Sequence, residues 1–108
     1  MTFNPQPKHP VLRVPKLREL AGECETCAFC GAYAPKKIVL AHPNGLKYGK
    51  GMGLKAHDLG AYLCPECHSL LDGRTGALTR HERDCMFLEA FYASMLWAFT
   101  SGKVRWVA

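Results

Sequence analysis

The sequence predicts an α+β domain, a small mixed core pinned by two cysteine knuckles and closed by a long C-terminal helix. Three observations lead to this. A chain of 108 residues is long enough for one core and too short for two, since domains typically hold about 100–150 residues. Two C-x-x-C pairs, "CAFC" (Cys27, Cys30) and "CPEC" (Cys64, Cys67), flank a short β-branched run. A capping-box spacing, Thr79 to Glu82, opens a helical pattern from Arg80 to about Ser101 with Gly102 as its stop. The composition, 48% apolar and without a biased tract, is that of a folded chain. A domain this small gains stability from a metal or a partner chain.

In chain order, Pro5, Pro7, Pro10 and Pro15 keep the first segment out of helix and sheet interiors. Residues 1–21 thus read as an extended arm carrying Lys8, Arg13 and Lys16, followed by a helical turn or two in "KLRELAG", Lys16 to Gly22. Residues 22–78 form the core. Within it "KKIVLAH", Lys36 to His42, is β-branched and apolar after Pro35 and reads as a strand with His42 at its exit. The glycine-rich "PNGLKYGKGMGLKAHD", Pro43 to Asp58, is a loop, and a long loop in so small a domain is usually functional or mobile. "LGAYLC", Leu59 to Cys64, returns as an extended segment, and the "CPEC" turn leads into a short helix, His68 to Leu71. Residues 79–108 make the C-terminal helix and tail, with "KVRWVA" as a closing strand or tail and Cys85 packed inside the helix. The helix carries Met86, Phe87, Phe91, Met95, Trp97 and Phe99, more large apolar groups than one narrow stripe holds. Most belong to the core, and the excess points to a homodimer or a partner protein.

Composition narrows the function. Fourteen Lys and Arg against nine Asp and Glu give a net charge of +5, which favours a polyanionic partner such as nucleic acid. Lys47, Lys50 and Lys55, with Tyr48 between them, and Arg74 after the second knuckle are suited to tracking a DNA backbone. The loop lacks the GxxxxGK spacing and has no Ser or Thr after Lys50, so nucleotide hydrolysis is discarded. The longest apolar stretch, Ala90 to Phe99, is about half the roughly 20 residues of a membrane span. The polar, Pro-rich opening is unlike a secretory leader, so the six cysteines are expected in a reducing cytoplasm, with thiolates available for metal.

Cys27, Cys30, Cys64 and Cys67 supply four soft ligands on two tight turns, the tetrahedral set that zinc prefers. The "CETCAFC" run leaves Cys24 open as an alternative ligand; Gly31 after Cys30 favours the Cys27 and Cys30 pair. A closed four-thiolate zinc has no open coordination position, so it accounts for folding and not for activity. Chemistry must come from elsewhere. His68 follows Cys67 directly, so its side chain leaves in another direction, and Asp72 at i+4 shares a helix face with it, a spacing able to grip one divalent ion. His42, between a strand and a long loop, is placed to serve as a general base.

A knuckle, a strand ending in His, a loop, and a second knuckle with His attached together resemble the HNH, or His-Me finger, endonucleases. More closely, "GEC" (Gly22 to Cys24), "VLAH" (Val39 to His42) and "GMGLKAHDLGAYLCPECHSLLDGR" (Gly51 to Arg74) look like the small prophage-encoded YbcO-like nucleases. The likeness covers roughly residues 22–76. It implies a ββα-metal core and metal-dependent cleavage of DNA, with a structural zinc and a catalytic Mg²⁺ or other divalent ion. It also implies a place in the host cell cytoplasm if phage-encoded, and leaves room for a recombination protein as partner. By the same resemblance His42 matches the general base and His68 the last metal-binding histidine. Asp58, or His57 beside it, falls near the middle asparagine position that orients the loop and the base. The acidic or histidine ligand that usually precedes the base is Ala41 here, and Asp72 or Asp58 would supply the carboxylate.

Overall fold

The computed structural model describes residues 12–42 and 57–104. Helix α1 (Pro15–Glu19) begins at Pro15 and continues into a 3-10 turn, Leu20–Gly22. Pro15 therefore opens the helix and is not the last residue of an extended arm, because a fixed φ and a missing N–H suit a first helical position. Leu17 and Leu20 from this segment are buried in the core.

Strand β1 (Val39–Ala41) pairs antiparallel with β2 (Ala61–Leu63), in the register Val39↔Leu63, Leu40↔Tyr62 and Ala41↔Ala61. β1 is shorter than the Lys36-to-His42 run predicts. Residues 35–37 form a turn, with Lys36 at φ 64°, so the first two lysines never enter the strand. β2 is buried along its whole length although, among the described residues, only one strand pairs with it. Its second edge is occupied at its centre: the Ala28 N–H donates to the Tyr62 carbonyl at 2.8 Å, and the Tyr62 N–H donates to Ser94 Oγ at 2.9 Å. Covering an edge in this way satisfies backbone groups that would otherwise be buried without partners. The Tyr62 hydroxyl donates to the Leu17 carbonyl at 2.6 Å, and its ring stands edge-on to Trp97 with centroids 5.5 Å apart, so one residue links β2 to α1 and to the last helix.

Helix α2 (Pro65–Asp72) starts three residues before the expected His68, since Cys64 takes the N-cap position and Pro65 the first helical one. Helix α3 (Arg80–Thr100) follows the sequence reading closely. Both bonds of its capping box form: Glu82 N–H to Thr79 Oγ1 at 3.1 Å, and Thr79 N–H to the Glu82 carboxylate at 2.8 Å. Met86, Phe87, Ala90, Ser94 and Ala98 face the core, with Phe91, Met95, Trp97 and Phe99 packed beside them. Leu88, Tyr92 and Leu96 lie on the outer side, 56%, 71% and 50% exposed. Cys85 is exposed, with its Sγ 3.6 Å from His81 Nε2 one turn back, and so is not packed as the sequence suggests. Lys103 reaches Glu23 at 2.8 Å, tying the end of α3 to the turn after α1. No described helix is long and apolar enough to cross a membrane.

Candidate metal centre and its histidine neighbours

The Sγ atoms of Cys27, Cys30, Cys64 and Cys67 all lie within 4.8 Å of one another, a group that can hold a metal ion. Cys30 Sγ and Cys64 Sγ are 3.8 Å apart. A tetrahedron with metal–sulfur bonds of about 2.3 Å has edges of about 3.8 Å, so the spacing suits zinc. The first knuckle is shaped by its own backbone. The Gly31 N–H donates to the Cys27 carbonyl at 3.0 Å and the Cys27 N–H to the Ala32 carbonyl at 2.9 Å, with Gly31 at φ 75°. That left-handed position is one glycine adopts without steric cost. Amides at the turn aim at sulfur, Phe29 and Cys30 N–H toward Cys27 Sγ at 3.4 and 3.5 Å, and Ala32 N–H toward Cys30 Sγ at 3.4 Å. A bridge between Thr26 and Tyr33 closes the base of the knuckle. In the second knuckle Cys64 caps α2 and Cys67 sits in its first turn, where the helix dipole favours thiolate.

Burial raises the Cys27 thiol, but the surrounding hydrogen bonds from Cys30, Cys64 and Phe29 outweigh it and bring it down to about 7. Cys64 and Cys67 are pushed up, first by burial and then by the neighbouring sulfurs. Cys24 lies outside the group. Its thiol donates to the Thr26 carbonyl at 3.2 Å, and burial raises it further toward the neutral form.

His68 and Asp72 do meet. Nε2 of His68 is 3.4 Å from Oδ2 of Asp72 across one turn of α2, and Arg74 reaches the same oxygen at 3.3 Å. The histidine and the carboxylate are partly covered, with side chains 33% and 15% exposed, whereas Arg74 is 70% exposed. His42 leaves β1 directly after Ala41, and its Nε2 is inaccessible to solvent. Gly60 lies across from this exit: a Cβ there would collide with the Ala41 carbonyl. Among the described residues the four cysteines are the group of three or more ligand atoms within reach of one ion, and His42, His68 and Asp72 do not form a second.

Asp58 is placed elsewhere than the sequence reading implies. Its buried carboxylate accepts from the Val14 N–H at 2.7 Å and lies 3.3 Å from both Arg13 and Arg18. Its own N–H donates to the Leu12 carbonyl, and His57 Nδ1 accepts from the Leu12 N–H at 2.9 Å. Both candidates for the middle position of the motif therefore hold the N-terminal segment against residues 57–58. Sequence reasoning missed this clamp and also Ser94, whose hydroxyl completes β2. Lys47, Lys50 and Lys55 lie outside the described residues. No family model, curated protein or solved structure matches the chain.

Proposed function

We propose that this chain is a metal-dependent DNA endonuclease of the His-Me finger type, stabilised by a zinc ion on Cys27, Cys30, Cys64 and Cys67. The observation that supports it is the order of β1, β2 and α2, with His42 at the exit of the first strand and the His68 and Asp72 pair on the helix. In this reading the His42 imidazole takes a proton from the attacking water. His68 and Asp72 hold a Mg²⁺-like ion, which when bound supplies counter-charge at the scissile phosphate and the leaving oxygen. Asp58 and His57 act indirectly by fixing the end of the loop that follows His42. Arg74, joined to Asp72 and exposed, is available to a phosphate of the DNA.

Incubating supercoiled plasmid and a panel of labelled single-stranded, duplex and branched DNAs with the protein and Mg²⁺, Mn²⁺ or Ni²⁺ tests this reading. Cleavage is expected with the native chain and a loss of at least about a hundredfold with His42→Ala, the range general bases contribute. A second reading, a zinc module that binds DNA or protein without cutting, is favoured by the absence of a second three-ligand group among the described residues. Retention of DNA without cleavage under every metal would establish that reading and exclude the first.

A further inference from the structure

On the side of the first knuckle that faces α3 lies a cavity of about 410 Å³, bounded by Glu23, Cys24, Glu25, Ala28, Ala93 and Trp97. Its size falls within the range of about 300–1,000 Å³ in which proteins hold small groups. The lining is unlike the rest of the surface. Among the described residues it includes two carboxylates, Glu23 and Glu25, and no Lys or Arg, although Lys16 and Lys103 bond Glu23 at its edge.

The two carboxylates are not equivalent. Glu23 is held between Lys16 and Lys103 at 3.4 and 2.8 Å, and these partners keep it below the usual carboxylate range. Glu25 carries no ion pair among the described residues. Cys24 adds no charge, since burial favours its neutral thiol. The cavity therefore combines one uncompensated anion, an indole wall and small apolar contacts from Ala28 and Ala93. A long apolar stem ending in a planar cation satisfies all three: the stem lies along the alanines, and the guanidinium stacks on indole while bonding a carboxylate.

We infer that this cavity is a docking site for an arginine side chain presented by a basic segment of a partner protein, with Glu25 and Trp97 as its two recognition residues. Charge complementarity selects the occupant, and the inference stands whether or not the chain cuts DNA. The test is titration of the full chain, purified without chelator, with capped tripeptides Ala-Arg-Ala, Ala-Lys-Ala, Ala-norleucine-Ala and Ala-Glu-Ala, and with a mononucleotide, following the Trp97 indole N–H by NMR. The arginine peptide is expected to give a saturable shift, the lysine peptide a weaker one, and the others none. Glu25→Gln should weaken arginine binding about tenfold, the factor that 1.4 kcal/mol represents. Ala93→Phe, which fills the mouth from an exposed helix position, should abolish it while leaving the remaining spectrum in place. No saturable shift with arginine, equal binding of the norleucine peptide, preference for the mononucleotide, or an unchanged affinity in Glu25→Gln would each overturn the inference.

Discussion

Cys64 caps α2 and His68 follows four residues later within it, and in the proposed function they serve different ions, so their replacements are expected to fail differently. Cys64→Ser removes one thiolate from a set whose metal binding is largely folding energy, and zinc content and folded signal should fall together. The same loss is expected of the native protein under a strong chelator or on acidification, because protons compete with metal for the thiolates. His68→Ala should keep its zinc, its fold and its far-UV circular dichroism while losing cleavage. Release of zinc by His68→Ala would instead make the histidine part of the structural centre. Gly60 offers a control of another kind: Gly60→Ala pushes a Cβ toward the Ala41 carbonyl beside His42, so it should disturb the strand pair without touching either ligand set.

For the secondary-structure elements, β2 and α3 depend on one hydroxyl. Ser94 Oγ receives the Tyr62 N–H and donates to the Ala90 carbonyl at 2.7 Å, both in the buried interior. Ser94→Ala leaves the Tyr62 N–H without that acceptor and should cost about 1–3 kcal/mol in urea unfolding; no measurable change would mean that a water or a shifted backbone replaces the hydroxyl. The start of α3 titrates. Hydrogen bonds from the Thr79 backbone and side chain lower the Glu82 carboxyl below its ordinary 4.5. A depressed carboxylate contributes stability above its unfolded value and loses it as pH falls through the folded one. Glu82→Gln should therefore be less stable than the native chain near neutrality, and the difference should close below about pH 4, the ordinary range of a glutamate. Thr79→Ala, which removes the other half of the box, should cost about 1 kcal/mol.

Over the whole molecule, stability depends on ties between distant parts of a short chain. Asp58 joins the segment before α1 to the chain just before β2 over a separation of 44 to 45 residues, and Lys103 joins the end of α3 to Glu23 over 80. The first tie has a buried carboxylate with half-exposed arginines and the second is exposed at both ends, so the first should matter more. Asp58→Ala is expected to cost about 1.5–3 kcal/mol, the range for hydrogen bonds to a charged group. Amide exchange should then speed up at residues 12–18 while the cysteine cluster keeps its metal. Unchanged exchange there would show that the segment is held by Leu17 and its apolar neighbours alone. Leu88, Tyr92 and Leu96 form an exposed outer stripe on α3, whereas the large apolar residues counted in the sequence, Met86, Phe87, Phe91, Met95, Trp97 and Phe99, lie in or against the core.

What the sequence determined by itself was local. Two C-x-x-C turns place their sulfurs within a few bonds of a tight backbone, and a Thr-to-Glu box fixes the start of α3, so spacing pointed to a four-cysteine group, with Cys24 still open as a member, and to the helix. The strands were visible as β-branched and apolar runs, but their length was not. The turn at Lys36 shortens β1, and Pro65 draws the start of α2 forward to the cysteine that caps it. Tertiary structure also decided which of the first three cysteines stays outside the cluster, since Cys24 turns to the Thr26 carbonyl while Cys27 and Cys30 turn to the second knuckle. It decided that Asp58 faces two arginines, and that Leu88, Tyr92 and Leu96 point outward in place of the larger aromatics. These outcomes depend on groups brought together across tens of residues, where the direction of a side chain is set by packing and not by its neighbours in sequence.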